Sequence, residues 1–307
     1  MAVSSETISN VAAVTPPLPI VHADDVYEYA KGVWIIPDHR IPLVPNIGID
    51  EGDDTVLVID TGMGPENGDR VLKAAQRIAK GRPLIVTLTH FHPEHGYGCQ
   101  VFRKHATIFY NRAQRDDLVN KGLAYLDMFR GFGPGVKDAL EGTELVMPHI
   151  VYDGESAEID LGGRRVALRT WGKAHSSGDQ VVFLPAEGIL FTGDLVEERA
   201  FPIFPWFPPD DVTIDAARWV DAFDAMIKMA PQTVVPGHGD LGTTAMISDI
   251  RDYMDKVKAE VGKRIKAGAA RDAIVHDLAP SIKAQYPDWH FPEWIDFAIR
   301  YYADNAA

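Results

Sequence analysis

The chain has 307 residues, 46% of them hydrophobic and 24% charged, a composition that suits a globular protein with ample core. A formal net charge of −14 argues against a nucleic-acid or anionic-membrane surface, because both need clustered Lys and Arg. No run of about 18 apolar residues occurs, so no membrane-spanning helix is indicated, and the single cysteine, Cys99, has no partner for an internal disulfide.

Residues 1–25 are expected to form an N-terminal arm, rich in Ser, Thr, Ala and Pro over its first 20 positions. Those positions have neither a basic start nor a continuous apolar stretch, so they do not read as a signal peptide. The expected compartment is the cytoplasm, or the periplasm if an export signal has been removed. Val26–Ile36 reads as the first strand, and Ile47–Asp50 and Thr55–Ile59 as a pair about the turn Glu51-Gly52-Asp53-Asp54. The second of these ends in Asp60-Thr61-Gly62-Met63-Gly64. A phosphate loop would need a Lys and a Ser or Thr that are absent, so Asp60 reads as a brace for a neighbouring loop.

Helical spacing runs from Asn67 to Lys80 and stops at Gly81-Arg82-Pro83. Leu84–Leu88 is an apolar run that reads as a buried strand, and Thr89-His90-Phe91-His92-Pro93-Glu94-His95-Gly96 follows it directly. Three imidazoles and a carboxylate within six residues suit a borderline-soft ion such as zinc. His90 and His92 point the same way while the chain is extended, and Glu94 and His95 lie where it must turn. A helix is expected over Gly98–Lys104, a strand over Ala106–Tyr110, and a helix-prone then glycine-rich stretch over 111–147. A second β series follows in Ile150–Tyr152, Ala157–Leu161 and Arg165–Trp171, with a hairpin turn at Asp160-Leu161-Gly162-Gly163.

Three further ligand-type residues stand just past extended segments: His175 after Val166–Trp171, Asp194 after Gly188–Thr192, and His238 after Gln232–Val235. Alone, each would read as a surface histidine or a turn acid. Together they supply what the first cluster lacks. Thr243–Ala270 and Ala273–Tyr302 read as helices, with Trp289, Phe291 and Trp294 docking them or a partner chain. Cys99 reads as a core residue.

The set His90, His92, Glu94, His95, His175, Asp194 and His238 resembles the metallo-β-lactamase superfamily, whose pattern is His-x-His-x-Asp-His followed by His, Asp and His at later strand ends. The resemblance covers roughly residues 26–240. It implies a four-layer αββα sandwich over 26–242, with 243–307 as a C-terminal helical extension packed on the same domain. It also implies that His90, His92 and His175 hold one ion, that His95, His238 and Glu94 hold a second, and that Asp194 bridges. Two zinc ions per chain are expected, with manganese and iron as alternatives. The departure is Glu94, where the family usually has Asp; the extra methylene raises the question of whether Glu94 ligates or acts as a base.

By the same resemblance the chain is expected to be a hydrolase in which water ionised at the metal attacks an electrophilic centre, with Asp194 and Glu94 as the catalytic carboxylates. Asp194 resembles the thioesterase, lactonase and phosphodiesterase branches, because β-lactamases of the family lack the bridging aspartate. Phe201-Pro202-Ile203-Phe204-Pro205-Trp206-Phe207-Pro208-Pro209 follows Asp194 closely and is too rich in proline for helix or central strand. Phe201, Phe204, Trp206 and Phe207, together with Tyr125, Phe129 and Phe132 of a lid over Leu123–Val136, are the expected pocket. The expected substrate is small and partly apolar: an ester, lactone or thioester, with hydrolytic dehalogenation also compatible. The alternatives are β-lactamase-like or phosphodiesterase activity, or a non-catalytic metal-binding relative with an impaired second site. A homodimer is compatible with the aromatic loops.

Overall fold

The computed structural model describes residues 18–306. Among the described residues twelve strands form two sheets. The first holds β1 (Tyr27–Ala30), β2 (Val33–Ile36), β3 (Ile47–Glu51), β4 (Val56–Ile59), β5 (Leu84–Thr87), β6 (Ala106–Asn111) and β7 (Ile150–Tyr152), in that spatial order. Pairing is antiparallel from β1 to β4 and parallel from β4 to β7. The second sheet runs β12-β11-β10-β9-β8, made from β8 (Ser156–Asp160), β9 (Arg165–Arg169), β10 (Val181–Leu184), β11 (Ile189–Phe191) and β12 (Thr233–Val235). Its β11 and β12 are parallel.

β4 and β5 are buried along almost their whole length, as parallel strands covered on both faces should be. Between the sheets lies one apolar cluster, drawn from Val33, Ile35, Leu57 and Ile59 of the first and Leu168, Val182, Ile189 and Phe191 of the second. The outer face of the first sheet is covered by α1 (Gly64–Ala79) and, after the single turn α2 (Pro93–Gly96), by α3 (Arg112–Arg130) and α4 (Pro134–Ala139). The outer face of the second is covered by α5 (Ala216–Lys228), α6 (Thr244–Lys266), α7 (Arg271–Lys283) and α8 (Ile295–Asp304). The layers are therefore helix, sheet, sheet, helix. The C-terminal helices share their core with Val181, Leu190 and Val234 of the second sheet. No helix among the described residues is long and apolar enough to cross a membrane.

Parallel register brings several strand ends to one edge. Ile59 aligns with Thr87, and Phe191 with Val235, so the chain leaves β4, β5, β11 and β12 on the same side. This is where ligands collect in sheets of this kind.

Several local expectations differ from the structure. Val26–Ile36 is two strands, because Gly32 at φ +70° lets the chain reverse in a tight turn. Ile150–Tyr152 joins the first sheet beside β6 rather than opening the second series. Val181–Leu184 is a strand with no counterpart among the sequence expectations. Gly98–Lys104 is a 3-10 turn over Cys99–Lys104. Leu123–Val136 is not a loose lid: residues to Arg130 complete α3, which a reciprocal cap between Asn111 and Gln114 starts. Of the expected arm, residues 1–17 lie outside the described residues, while Val21 and Ala23 are buried in the core of the first helical layer. Cys99 is buried, which pushes its thiol up to about 12.

Candidate metal centre

Four connections at that edge carry the ligand-type residues. After β5 the chain does not stay extended but bends through Thr89, His90 and Phe91 to His92 and then turns as α2, where Pro93 occupies the first turn and needs no hydrogen-bond partner for its nitrogen. His175 follows β9, Asp194 follows β11 within a single 3-10 turn, and His238 follows β12. Two glycines let these backbones meet. A Cβ on Gly237 would sit 2.1 Å from Asp194 Oδ1, and one on Gly193, at φ +53°, would sit 2.5 Å from Thr89.

Two groups of four residues result. His90, His92, His175 and Asp194 each offer a ligand atom within 4.8 Å of the others, and so do Glu94, His95, Asp194 and His238. Asp194 belongs to both. The site therefore joins all seven residues that the sequence singled out, with Glu94 in the second group.

The other ring nitrogens explain how the histidines are aimed. His95 Nδ1 lies 2.9 Å from Asp60 Oδ2, and His238 Nδ1 lies 2.9 Å from the Val44 carbonyl. His175 Nδ1 faces the Ile203 carbonyl at 3.3 Å, and His90 Nδ1 faces Thr89 Oγ1 at 3.3 Å. A carbonyl or carboxylate partner fixes the proton on Nδ1 and leaves Nε2 with a free lone pair. His92 has no such partner. Its ring stacks on Tyr125 at 4.9 Å between centroids, and its Nδ1 lies 3.2 Å from His175 Nε2. Tyr125 is in turn held by Asp211 at 2.8 Å.

Asp60 braces the loop as the sequence suggested. Its carboxylate accepts from the Thr89 amide at 2.7 Å and from Thr89 Oγ1 at 2.8 Å, as well as facing His95. Its own φ is +68°, a left-handed conformation that Asp and Asn tolerate better than most residues. Asp179, three-residue neighbour of Ser176, accepts from the Ser176 amide at 2.8 Å and hydroxyl at 2.6 Å, which shapes the turn beside His175.

Buried polar atoms normally find partners. Here His90 Nε2, His92 Nε2 and Glu94 Oε2 are buried without a hydrogen bond, and His95 Nε2 and Asp194 Oδ1 are buried with only each other, at 3.1 Å. Such a cluster at one point is costly unless a further group satisfies it. Their chemistry, imidazole nitrogen and carboxylate oxygen in fours, fits a divalent first-row cation. Zinc, manganese and iron all meet that description.

The electrostatics agree. Burial holds His90 and His92 well below the usual imidazole range and His175 down to about 4, so these three are neutral and free to donate lone pairs. Burial acts the same way on His95, but the carboxylates of Asp194 and Asp60 outweigh it and raise that ring well above its usual range. Burial pushes Asp194 upward, yet His95, His238 and His90 hold it well below the ordinary carboxylate value. Burial lifts Glu94 to about 7, opposed by His95 and assisted by Asp194. The second group therefore attracts positive charge.

A cavity of about 400 Å³ opens onto His92, Glu94, Asp194 and His238. Of the seven aromatic residues expected to line it, Tyr125, Phe129, Phe132 and Phe207 do so. Phe201 and Phe204 do not: both are fully buried, Phe201 against Tyr253 and Trp289, and Phe204 against Trp219 and Tyr301. Trp206 packs edge-on against Tyr301 and donates its indole N–H to Asp304 at 3.0 Å. These rings dock the loop on the C-terminal helices rather than facing the cavity. Phe291 and Trp294, expected as docking residues, stack on each other at 4.4 Å and line the cavity. Glu197 was not anticipated. It is buried, lines the cavity and is raised well above the usual carboxylate range by burial and by Asp194 and Glu94. Its only sequence signal is its place three residues after Asp194.

Comparison with known proteins places these features in a family. The model of the metallo-beta-lactamase superfamily matches residues 40–238, more than half of the chain and all seven ligand-type residues. Among curated proteins, a metallo-beta-lactamase type 2 from Bacteroides fragilis is 29% identical over 104 residues, which is 33% of this chain and 40% of that protein. Among solved structures, the stereoselective inverting sec-alkylsulfatase Pisa1 from Pseudomonas sp. matches 91% of this chain and 50% of its own at a TM-score of 0.68 and 16% identity. A metallo-beta-lactamase from Pontibacter korlensis matches 74% of this chain and 98% of its own at 0.57 and 19% identity. The chain thus spans half or less of the length of the curated relative and of the alkylsulfatase. It carries a His and Asp cluster able to bind metal, and it belongs to the metallo-beta-lactamase superfamily.

Proposed function

We propose that this chain is a hydrolase holding two divalent metal ions, zinc before manganese or iron, and acting on a small, partly apolar molecule. The observation that carries the proposal is the pair of buried four-residue ligand groups joined through Asp194 at the floor of a largely apolar cavity. Bound there, divalent ions supply Lewis acidity and bring the ionisation of water from 15.7 to about 7.

The protein's own residues do the rest. His90, His92 and His175, neutral and oriented, make up one side of the site, and His95, His238 and Glu94 the other. Asp194 joins the two sides. Asp60 keeps the His95 proton on Nδ1, so that Nε2 stays available. Glu197, buried in the cavity wall and raised well above the ordinary carboxylate range by burial and by Asp194 and Glu94, is the group able to hold a proton beside the reacting centre and pass it to a leaving group. The apolar walls exclude water from the rest of the substrate.

Family membership supports hydrolysis, and the named relatives, β-lactamases and an alkylsulfatase, show that members accept chemically different substrates. The test is elemental analysis of the purified protein joined to a hydrolytic panel of lactone, ester, thioester, phosphodiester and β-lactam. The expected result is a stoichiometric metal content with turnover of carbonyl substrates. Fewer than one ion per chain and no turnover with zinc, manganese or iron would refute it.

A further inference from the structure

The cavity wall has a charge pattern that speaks to what the site accepts. Arg40 is the only Lys or Arg lining it among the described residues. Its guanidinium is already matched twice, by Glu198 at 2.5 Å and by Asp240 at 2.7 Å. Beyond the ligand residues the wall carries three further acids, Asp38, Glu197 and Glu198. Asp38 is occupied by the Arg40 and Gly239 amides. The remaining basic group is the exposed imidazole of His290 at the rim.

The rest of the wall is largely apolar. Met128 and Phe129 come from α3, Phe132 from the turn that follows it, Phe207 from the proline-rich loop, and Phe291 and Trp294 from the C-terminal segment. That segment is held in place by backbone pairing, with the His290 amide donating to the Arg199 carbonyl at 2.8 Å and the Phe201 amide donating to the His290 carbonyl at 3.1 Å. A substrate whose scissile group lies at the floor must lay its remainder along this wall. An anionic group on that remainder would find no free cation and would meet either carboxylates or hydrocarbon, both unfavourable.

We propose that the site selects uncharged esters or lactones with an apolar acyl part and discriminates against substrates of the same size bearing a second, anionic group. The proposal rests on the hydrolase reading and names its substrate class. A divalent cation at the floor attracts the scissile group in either case, so the discrimination concerns the far end of the substrate only.

The experiment compares p-nitrophenyl octanoate with the mono-p-nitrophenyl ester of octanedioic acid, on zinc-loaded protein at pH 8. The expected kcat/KM ratio favours the neutral ester by at least about thirtyfold, the order set by placing an unpaired carboxylate against an apolar wall. A Glu198→Gln, Asp240→Asn double variant releases Arg40, and the ratio should fall by about tenfold. Equal turnover of the two esters, preference for the anion, or an unchanged ratio in the double variant would overturn the inference while leaving the hydrolase reading intact. Absence of turnover of both esters, on protein that also turns over nothing in the wider hydrolytic panel, would sink the hydrolase reading. Selectivity is then decided separately by calorimetric binding of octanamide against 7-carbamoylheptanoate. Neutral binding at least about tenfold tighter supports the inference, and equal binding refutes it.

Discussion

Replacing Asp60 by Asn tests how the second ligand group is aimed. Asn keeps the shape and tolerates the left-handed backbone at φ +68°. It offers one acceptor oxygen where the carboxylate now meets three donors: the Thr89 amide at 2.7 Å, Thr89 Oγ1 at 2.8 Å and His95 Nδ1 at 2.9 Å. With the amide oxygen kept on the Thr89 amide, the new NH₂ faces Thr89 Oγ1 and His95 Nδ1. A hydroxyl can turn and accept. His95 can accept only by moving its proton to Nε2, which removes the lone pair needed by the second group. Loss of such a supporting contact lowers metal affinity or activity by about 10- to 100-fold, or roughly 1.4–2.7 kcal/mol. Zinc titration calorimetry reads this directly. The weaker-site affinity should drop in that range while the site of His90, His92 and His175 changes by less than about threefold. Unchanged affinity at both sites would refute the tautomer argument.

Other predictions follow from separate features. A Gly237→Ala Cβ would lie 2.1 Å from Asp194 Oδ1, against backbone at 2.8 Å, so Asp194 must move and zinc retention should fall by at least about tenfold on dialysis. Glu94→Asp withdraws the carboxylate by about 1.5 Å. If Glu94 Oε2 serves the second group, second-ion affinity falls; an unchanged zinc stoichiometry and rate would show that the loop adjusts freely. Asp50 is fully buried far from the centre, with both oxygens unpartnered, and burial raises it from 3.8 to about 8 despite Arg164. The folded state therefore binds more protons than the unfolded one between these values, and stability falls as pH rises from about 4 to 8. At about 1.4 kcal/mol per unit the loss is at most about 6 kcal/mol. Asp50→Asn should flatten urea-denaturation stability over that window and raise it at pH 8; an unchanged pH profile would contradict the assignment.

The ligand residues were legible because each is a His or an acid placed directly after a short apolar run, and parallel strands carry such residues to one edge. Asp60 was legible for the same reason. What the sequence hid depended on which way a ring turns and on contacts between distant segments. Phe201 and Phe204 have the composition of a pocket wall, but their rings face the helices of the C-terminal layer. Phe291 and Trp294 reach the cavity only because His290 pairs with the backbone on both sides of Ala200, some 90 residues earlier. Val181–Leu184 is a run of only four residues, too short to separate from loop by pattern alone. The glycines of 131–135 suggested a lid, yet the preceding residues extend α3, with Tyr125 and Phe129 buried on its inner face.

The central claim is a centre of two ligand groups joined by Asp194. Elemental analysis of zinc-saturated, gel-filtered protein tests it most directly, on the wild type beside a His238→Ala variant. The account predicts about two ions per chain in the wild type and about one in the variant, which keeps the group of His90, His92 and His175 intact. The same stoichiometry in both proteins, or less than one ion per chain in the wild type, would contradict it.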